Sequence, residues 1–180
     1  GDRKEDDARA RDLLERALER DPHLEEAYEG LARLEFRRGD FERAIAAYGR
    51  GLAVDKGYVP FCQERGLVRL LWAVARPPAD GGTEAVLKDA EADFARAVEL
   101  DPLDPAGWAG RADVRTIRGL AAAMGGEDPS PLYRLAMEDY DRALGQGGHG
   151  SQELRHRGDL WVNWGKYNGD AGSDPTPEYR

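Results

Sequence analysis

Small and aromatic residues recur along the chain at positions i, i+4 and i+7. Ala44, Tyr48 and Gly51 form one set, Ala90, Phe94 and Ala97 a second, and Ala136, Tyr140 and Ala143 a third. This spacing keeps all three side chains on one face of an α-helix. The small members let a neighbouring helix come close, and the aromatic fills the space between. Ala10, Leu14 and Ala17 make an earlier copy. A second helical pattern alternates with the first and carries Tyr28, Leu31, Ala32 and Leu34, then Trp108, Ala112 and Val114, then Leu154, Gly158 and Leu160. No useful run alternates with period two, so no sheet is predicted. Asp-Pro at 21–22 and 101–102 follows two of the stripes, and the residue before proline leaves the helical region, which ends each helix there.

The stripes keep a register. From Ala10 to Ala44 the offset is 34, and from Ala44 to Ala90 and Ala90 to Ala136 it is 46. Arg65-Gly66, Arg111-Ala112 and Arg157-Gly158 fall on the longer offset, and EADFARAV (91–98) overlays MEDYDRAL (137–144). The chain is therefore read as a repeat array, with a partial unit over 1–24 and units over about 25–58, 59–104, 105–150 and 151–180. Three units carry 12 extra residues (46 − 34), near 75–86, 120–131 and 167–177. Apolar runs at Leu70, Leu71, Trp72 and Val74, and again over 120–124, predict first helices one or two turns longer, followed by glycine-rich loops.

The phrase GEDPSPLYR (126–134) returns as GSDPTPEYR (172–180), identical at six of nine positions. Ser130 and Thr176 suit an N-cap, with Pro131 and Pro177 at the first helical position. Tyr133 and Tyr179 then face the preceding helix. The phrase thus reads as a helix start, and its second copy suggests a piece of a longer array.

These residues carry a family resemblance. The stretch 25–55, EEAYEGLARLEFRRGDFERAIAAYGRGLAVD, resembles a tetratricopeptide repeat through Tyr28, Leu31, Ala32, Gly39, Phe41, Ala44, Tyr48 and Leu52. Residues 89–102 are similar to the second helix and closing turn of such a unit. Gly51 stands where the family usually has alanine, and Lys56 where it has proline. The resemblance implies an all-α, right-handed superhelical solenoid of antiparallel helix pairs. It also implies a concave groove lined by first helices, which is the usual binding surface of solenoids.

Composition narrows the function classes. With 26 basic and 35 acidic residues the formal charge is −9, a field that repels phosphate backbones and favours basic partners, so nucleic-acid binding is not expected. No stretch approaches the roughly 18 apolar residues of a membrane span. Cys62 is the single cysteine, so no intrachain disulfide is possible, and a reducing, cytoplasmic setting is expected.

Candidate chemistry is sparse. Arg65 and Asp93 occur in one unit and Arg111 and Asp139 in the next, whereas the first full unit has Leu31 and Ala47 at those places. Such joint variation predicts ion pairs Arg65–Asp93 and Arg111–Asp139, with the acid for Arg157 lying past the end of the chain. GQGGHG (145–150) matches a dinucleotide fingerprint letter for letter, but it follows a helix rather than a strand and reads as a turn. His23, His149 and His156 lack metal-ligand spacing. Cys62 has no identifiable base beside it and reads as a small, partly buried residue. No cofactor, metal or catalytic constellation is predicted.

The resemblance places Glu26, Glu29, Arg33, Phe36 and Arg37 on the concave face of the first full unit. Gln63, Leu67, Leu70 and Leu71 follow in the second, Asp113 and Thr116 in the third, and Arg155, Asp159 and Val162 in the fourth. The lysines and asparagines with which some relatives clamp a terminal carboxylate are missing. The expected function is a non-catalytic scaffold that binds a protein segment or peptide. The alternatives are a regulatory or substrate-recruiting arm of a larger bacterial signalling protein such as a serine/threonine kinase, and an enzyme on a helical scaffold. The sequence leaves the oligomeric state open.

Overall fold

The computed structural model describes residues 3–75, 82–146 and 151–170. These form α1 (Arg3–Arg20), α2 (Glu25–Arg37), α3 (Phe41–Val54), α4 (Val59–Ala75), α5 (Thr83–Leu100), α6 (Pro105–Met124), α7 (Ser130–Gly145) and α8 (Ser151–Asp170). No strand occurs among the described residues, and the fold is an all-α helical repeat. The starts of α4, α6 and α8 lie 46 residues apart (59, 105, 151). Helices α4 and α6 have 17 and 20 residues against 13 in α2, about one and two extra turns. None of the helices is long and apolar enough to cross a membrane among the described residues.

The chain divides into two compact bodies, residues 1–100 and 101–180. In the first, α1 packs on α2, α2 on α3, α3 on α4 and α4 on α5. In the second, α7 packs on both α6 and α8. The stripe residues Ala44, Ala90, Ala97, Ala136 and Ala143 are fully buried, and Tyr48, Phe94 and Tyr140 lie beside them in the cores. Gly51 breaks the family's preference for alanine for a visible reason. A Cβ there would lie 2.4 Å from Cε2 of Phe61, so α4 can seat its first aromatic only against a bare backbone.

The turns are built on aspartates. Asp21, Asp55 and Asp101 each accept a hydrogen bond from the backbone N–H two residues on, at 2.7–3.0 Å, the Asx-turn geometry that competes with helix continuation. Two first helices, α2 and α6, are then tied back to their turns. Tyr28 donates its hydroxyl to the Pro22 carbonyl at 3.1 Å, and Trp108 donates its indole N–H to the Pro102 carbonyl at 2.9 Å.

The start of α7 departs from the sequence reading by one residue. Ser130 is the first residue of the helix and Pro129 occupies the cap position, without a side-chain cap of its own. Asp128 takes the role instead, accepting the Ser130 N–H at 2.9 Å. A hydrogen bond from the Ser130 hydroxyl, and after it that backbone bond, hold the Asp128 carboxyl below its ordinary range. The proline side chain offers no acceptor, so the nearest upstream carboxylate fills the place. Tyr133 is buried as expected. Thr176, Pro177, Tyr179, His149 and most of the 145–150 glycine run lie outside the described residues.

Candidate partner-binding groove

Two carboxylates organise the helix pairs from inside. Asp93 on α5 accepts from Arg65 Nε at 3.1 Å and Nη2 at 2.5 Å, and it also bonds Arg69. Asp139 on α7 accepts from Arg111 Nε at 2.9 Å and Nη2 at 2.7 Å, and from Arg115 Nη1 at 2.7 Å. Both aspartate side chains are only 4% exposed. Arg69 and Arg115 were missed in the sequence, although they lie 46 residues apart and one helical turn beyond Arg65 and Arg111. In the first full unit Glu35 holds the register of Arg69 (69 − 34), and its buried carboxylate pairs with Arg11 of α1. These arginines are structural: they close helix pairs and do not gather around an open site.

Arg157 finds its acid within the chain, contrary to expectation. Its Nε lies 2.9 Å from Oδ1 of Asp141 on α7. A first helix packs against the preceding hairpin as well as its own partner, so that hairpin can supply the counter-charge.

A groove opens in the first body between α2 and α4, with α3 as its floor. A hollow of about 100 Å³ lies there, walled by Arg33, Phe36, Tyr48, Glu64, Leu67 and Leu71. Phe36, Leu67 and Leu71 remain 37%, 42% and 40% exposed, so three large apolar side chains meet solvent around one hollow. Phe36 is fixed edge-on to Phe41, ring centres 5.5 Å apart, and Phe41 stacks on Trp72 at 6.4 Å. The wall is thus held in place before any partner arrives. Arg33 pairs with Glu29 at 2.5 Å. Tyr48 is buried among these groups, and burial first, then the Glu64 and Glu29 carboxylates, push its phenol well above the ordinary value.

The face residues expected from the sequence fall into three groups. Arg33, Phe36 and Leu67 come together at the hollow. Glu26 and Arg37 are exposed elsewhere on α2, and Gln63 is half-buried on α4. Leu70 is corrected: it is buried. It belongs to the stripe Cys62, Gly66, Leu70 and Ala73, all buried on α4, so of the two adjacent leucines expected on this face only Leu71 lines the hollow. Glu64 and Tyr48 were not assigned to the groove from sequence, and only the register of α4 places Glu64 there.

In the second body the corresponding face is more polar. Asp113 accepts from the Tyr140 hydroxyl at 2.5 Å and lies 2.9 Å from Nδ1 of His156. Burial, reinforced by Asp113, raises the Tyr140 phenol far above its usual range. Thr116 donates back to the Ala112 carbonyl at 2.9 Å, while Arg155, Asp159 and Val162 are exposed. No cluster of three or more metal-ligating residues exists among the described residues. Cys62 is buried, more deeply than expected, and burial raises its thiol above the ordinary range. A raised thiol disfavours the reactive thiolate.

The tetratricopeptide repeat profile matches residues 5–59, the segment that contributes α1–α3 and half of the groove's helices. Over that segment the chain is similar to the tetratricopeptide repeat. Solved structures of such domains align with most of the chain. The first TPR domain of human RPAP3 aligns with a TM-score of 0.62 and 16% identity, covering 82% of this chain and 98% of that one. The second TPR domain of human RPAP3, solved with the HSP70 peptide SGPTIEEVD, gives 0.56 and 21%, covering 74% and 91%. The first TPR of Spaghetti (RPAP3), bound to the HSP90 peptide SRMEEVD, gives 0.55 and 16%, covering 73% and 85%. At these identities the tetratricopeptide neighbours establish the fold. A comparison with curated proteins returns no match. None of these similarities supports the kinase-arm alternative.

Proposed function

We propose that the chain is a non-catalytic interaction scaffold that binds a protein segment along its first helices, in a cytoplasmic setting. The observation that carries this reading is the preformed hollow between α2 and α4, where Phe36, Leu67 and Leu71 stay half-exposed although a core lies directly beneath them. Apolar side chains held in a concave place by neighbouring rings offer an anchor site without ordering cost. The likeness to TPR domains solved with bound peptides supports the same use of the fold.

Affinity capture with the whole chain tests it, run beside a Phe36→Ala/Leu67→Ser variant whose helicity is verified by circular dichroism. Partners that bind the parent chain are expected to be lost from the variant. Retention of the same partners at the same yield would remove the groove from consideration.

A further inference from the structure

The groove of the first body is chemically graded along its length. Resting on the reading of this groove as a binding site, we propose that its occupant is a protein segment with an aliphatic or aromatic side chain for the hollow. About 10–15 Å away the segment carries a lysine or arginine, and acidic tails are rejected.

The acidic end is set by three carboxylates, and a fourth, Glu64, stands at the wall of the hollow itself. Glu25, Glu26 and Glu29 stand in the first turns of α2, and their fields reach Tyr58 and raise its phenol after burial has done so. Glu29 and Glu64 act in the same way at Tyr48. One guanidinium, that of Arg33, offsets them by pairing with Glu29. The balance at this end is minus two (one positive against three negative), with Glu64 adding a further negative charge beside the hollow. The starts of α2 and α4 contribute roughly half a positive charge each through their dipoles, which leaves the end negative. The other end is apolar, made by Phe36, Leu67 and Leu71, with Val74 59% exposed beyond them.

The spacing follows from helix geometry. Phe36 lies seven residues from Glu29 and ten from Glu26, which at about 1.5 Å per residue is about 10–15 Å. An extended segment covers that distance in about three or four residues. A cation placed there gains from carboxylates beside a low-dielectric wall, whereas a tail rich in glutamates meets like charge at every step.

Three labelled synthetic peptides test this with the full chain by fluorescence anisotropy at low salt. The first is Lys-Lys-Gly-Ser-Gly-Leu-Leu, the second replaces its lysines by glutamates, and the third replaces its leucines by serines. The lysine–leucine peptide is expected to bind at least tenfold more tightly than either of the others. Glu29→Lys/Glu64→Lys should reverse the lysine–glutamate preference. If that variant does not fold, a salt titration of the parent chain reads the same quantity: added salt must weaken the lysine peptide and not the glutamate peptide. Equal or tighter binding of the glutamate peptide, with the leucines and Phe36 still required, overturns the charge inference and leaves the groove standing. Binding that ignores the leucines and survives Phe36→Ala, or no binding of any peptide, overturns both.

Discussion

The ring of Tyr133 occupies the place where residue 119 would carry a side chain. A Cβ added to Gly119 would lie 2.4 Å from Tyr133 Cε1. One unit earlier the same two registers (119 − 46 and 133 − 46) hold Ala73 and Leu87, both buried. A larger residue on the first helix thus goes with a slimmer one on the second.

Gly119→Ala is therefore expected to destabilise the chain by about 1–3 kcal/mol through overpacking, even though alanine favours helix. Tyr133→Leu alone opens space and also destabilises. The double variant should lose less than the two single losses added together, as for any pair in contact. Denaturant unfolding of the four proteins measures the coupling, and simple additivity would mean the two sites do not share one volume.

Replacing Asp139 by alanine removes the buried carboxylate shared by two guanidiniums whose side chains are only 16% and 14% exposed. A loss of about 3–5 kcal/mol is expected. Removing the charges together, as Arg111→Leu/Arg115→Leu/Asp139→Ala, should cost markedly less, because no buried guanidinium then loses its carboxylate. Thermal unfolding of both variants decides it.

Alkaline pH should loosen the second body through Tyr140. Its folded phenol titrates above the ordinary tyrosine value of 10.0, so the folded state holds the proton where the unfolded chain releases it. Stability is complete below about pH 10 and falls as pH rises further, since the folded state then binds more protons. Tyr140→Phe is expected to flatten that decline in a series of melting curves, at the cost of the hydrogen bond to Asp113. An unchanged slope would exclude Tyr140 as its source.

Leu67 and Leu70 should part company. Leu70→Ala empties a core position and is expected to cost about 2–5 kcal/mol, with binding reduced only as far as folding is. Leu67→Ala, at a residue 42% exposed, should cost less than about 1 kcal/mol and weaken peptide binding directly. Parallel stability and anisotropy measurements separate the two.

Much of this was legible in the sequence because the register repeats. The stripes at i, i+4 and i+7 located α3, α5 and α7, and the joint change of residue types at the 65 and 93 registers singled out residues that meet in space. Other features escaped for physical reasons. Arg69 and Arg115 recur on the same offset, but Glu35 reverses the charge in the first unit and hides the pattern. Leu70 and Leu71 are adjacent, and apolarity alone does not say which faces the core; the turn-by-turn neighbours Gly66 and Ala73 do. The cap of α7 moved to Asp128 because proline at 129 fixes the entry of the chain. The close approaches at Gly51 and Gly119 had a signal in the bare glycines, yet only packing shows which ring fills each one.

The ion pairing also sorts the units by how freely they could be copied. In residues 59–104 and 105–150 each buried aspartate is neutralised by arginines of its own helix pair, so either unit carries its electrostatic closure with it. Residues 25–58 do not, because Glu35 depends on Arg11 from the helix before. Duplicating one of the later units inserts a self-sufficient block. Moving the earlier one without α1 exports a buried anion, which ties it to the helix before it rather than making it an interchangeable part.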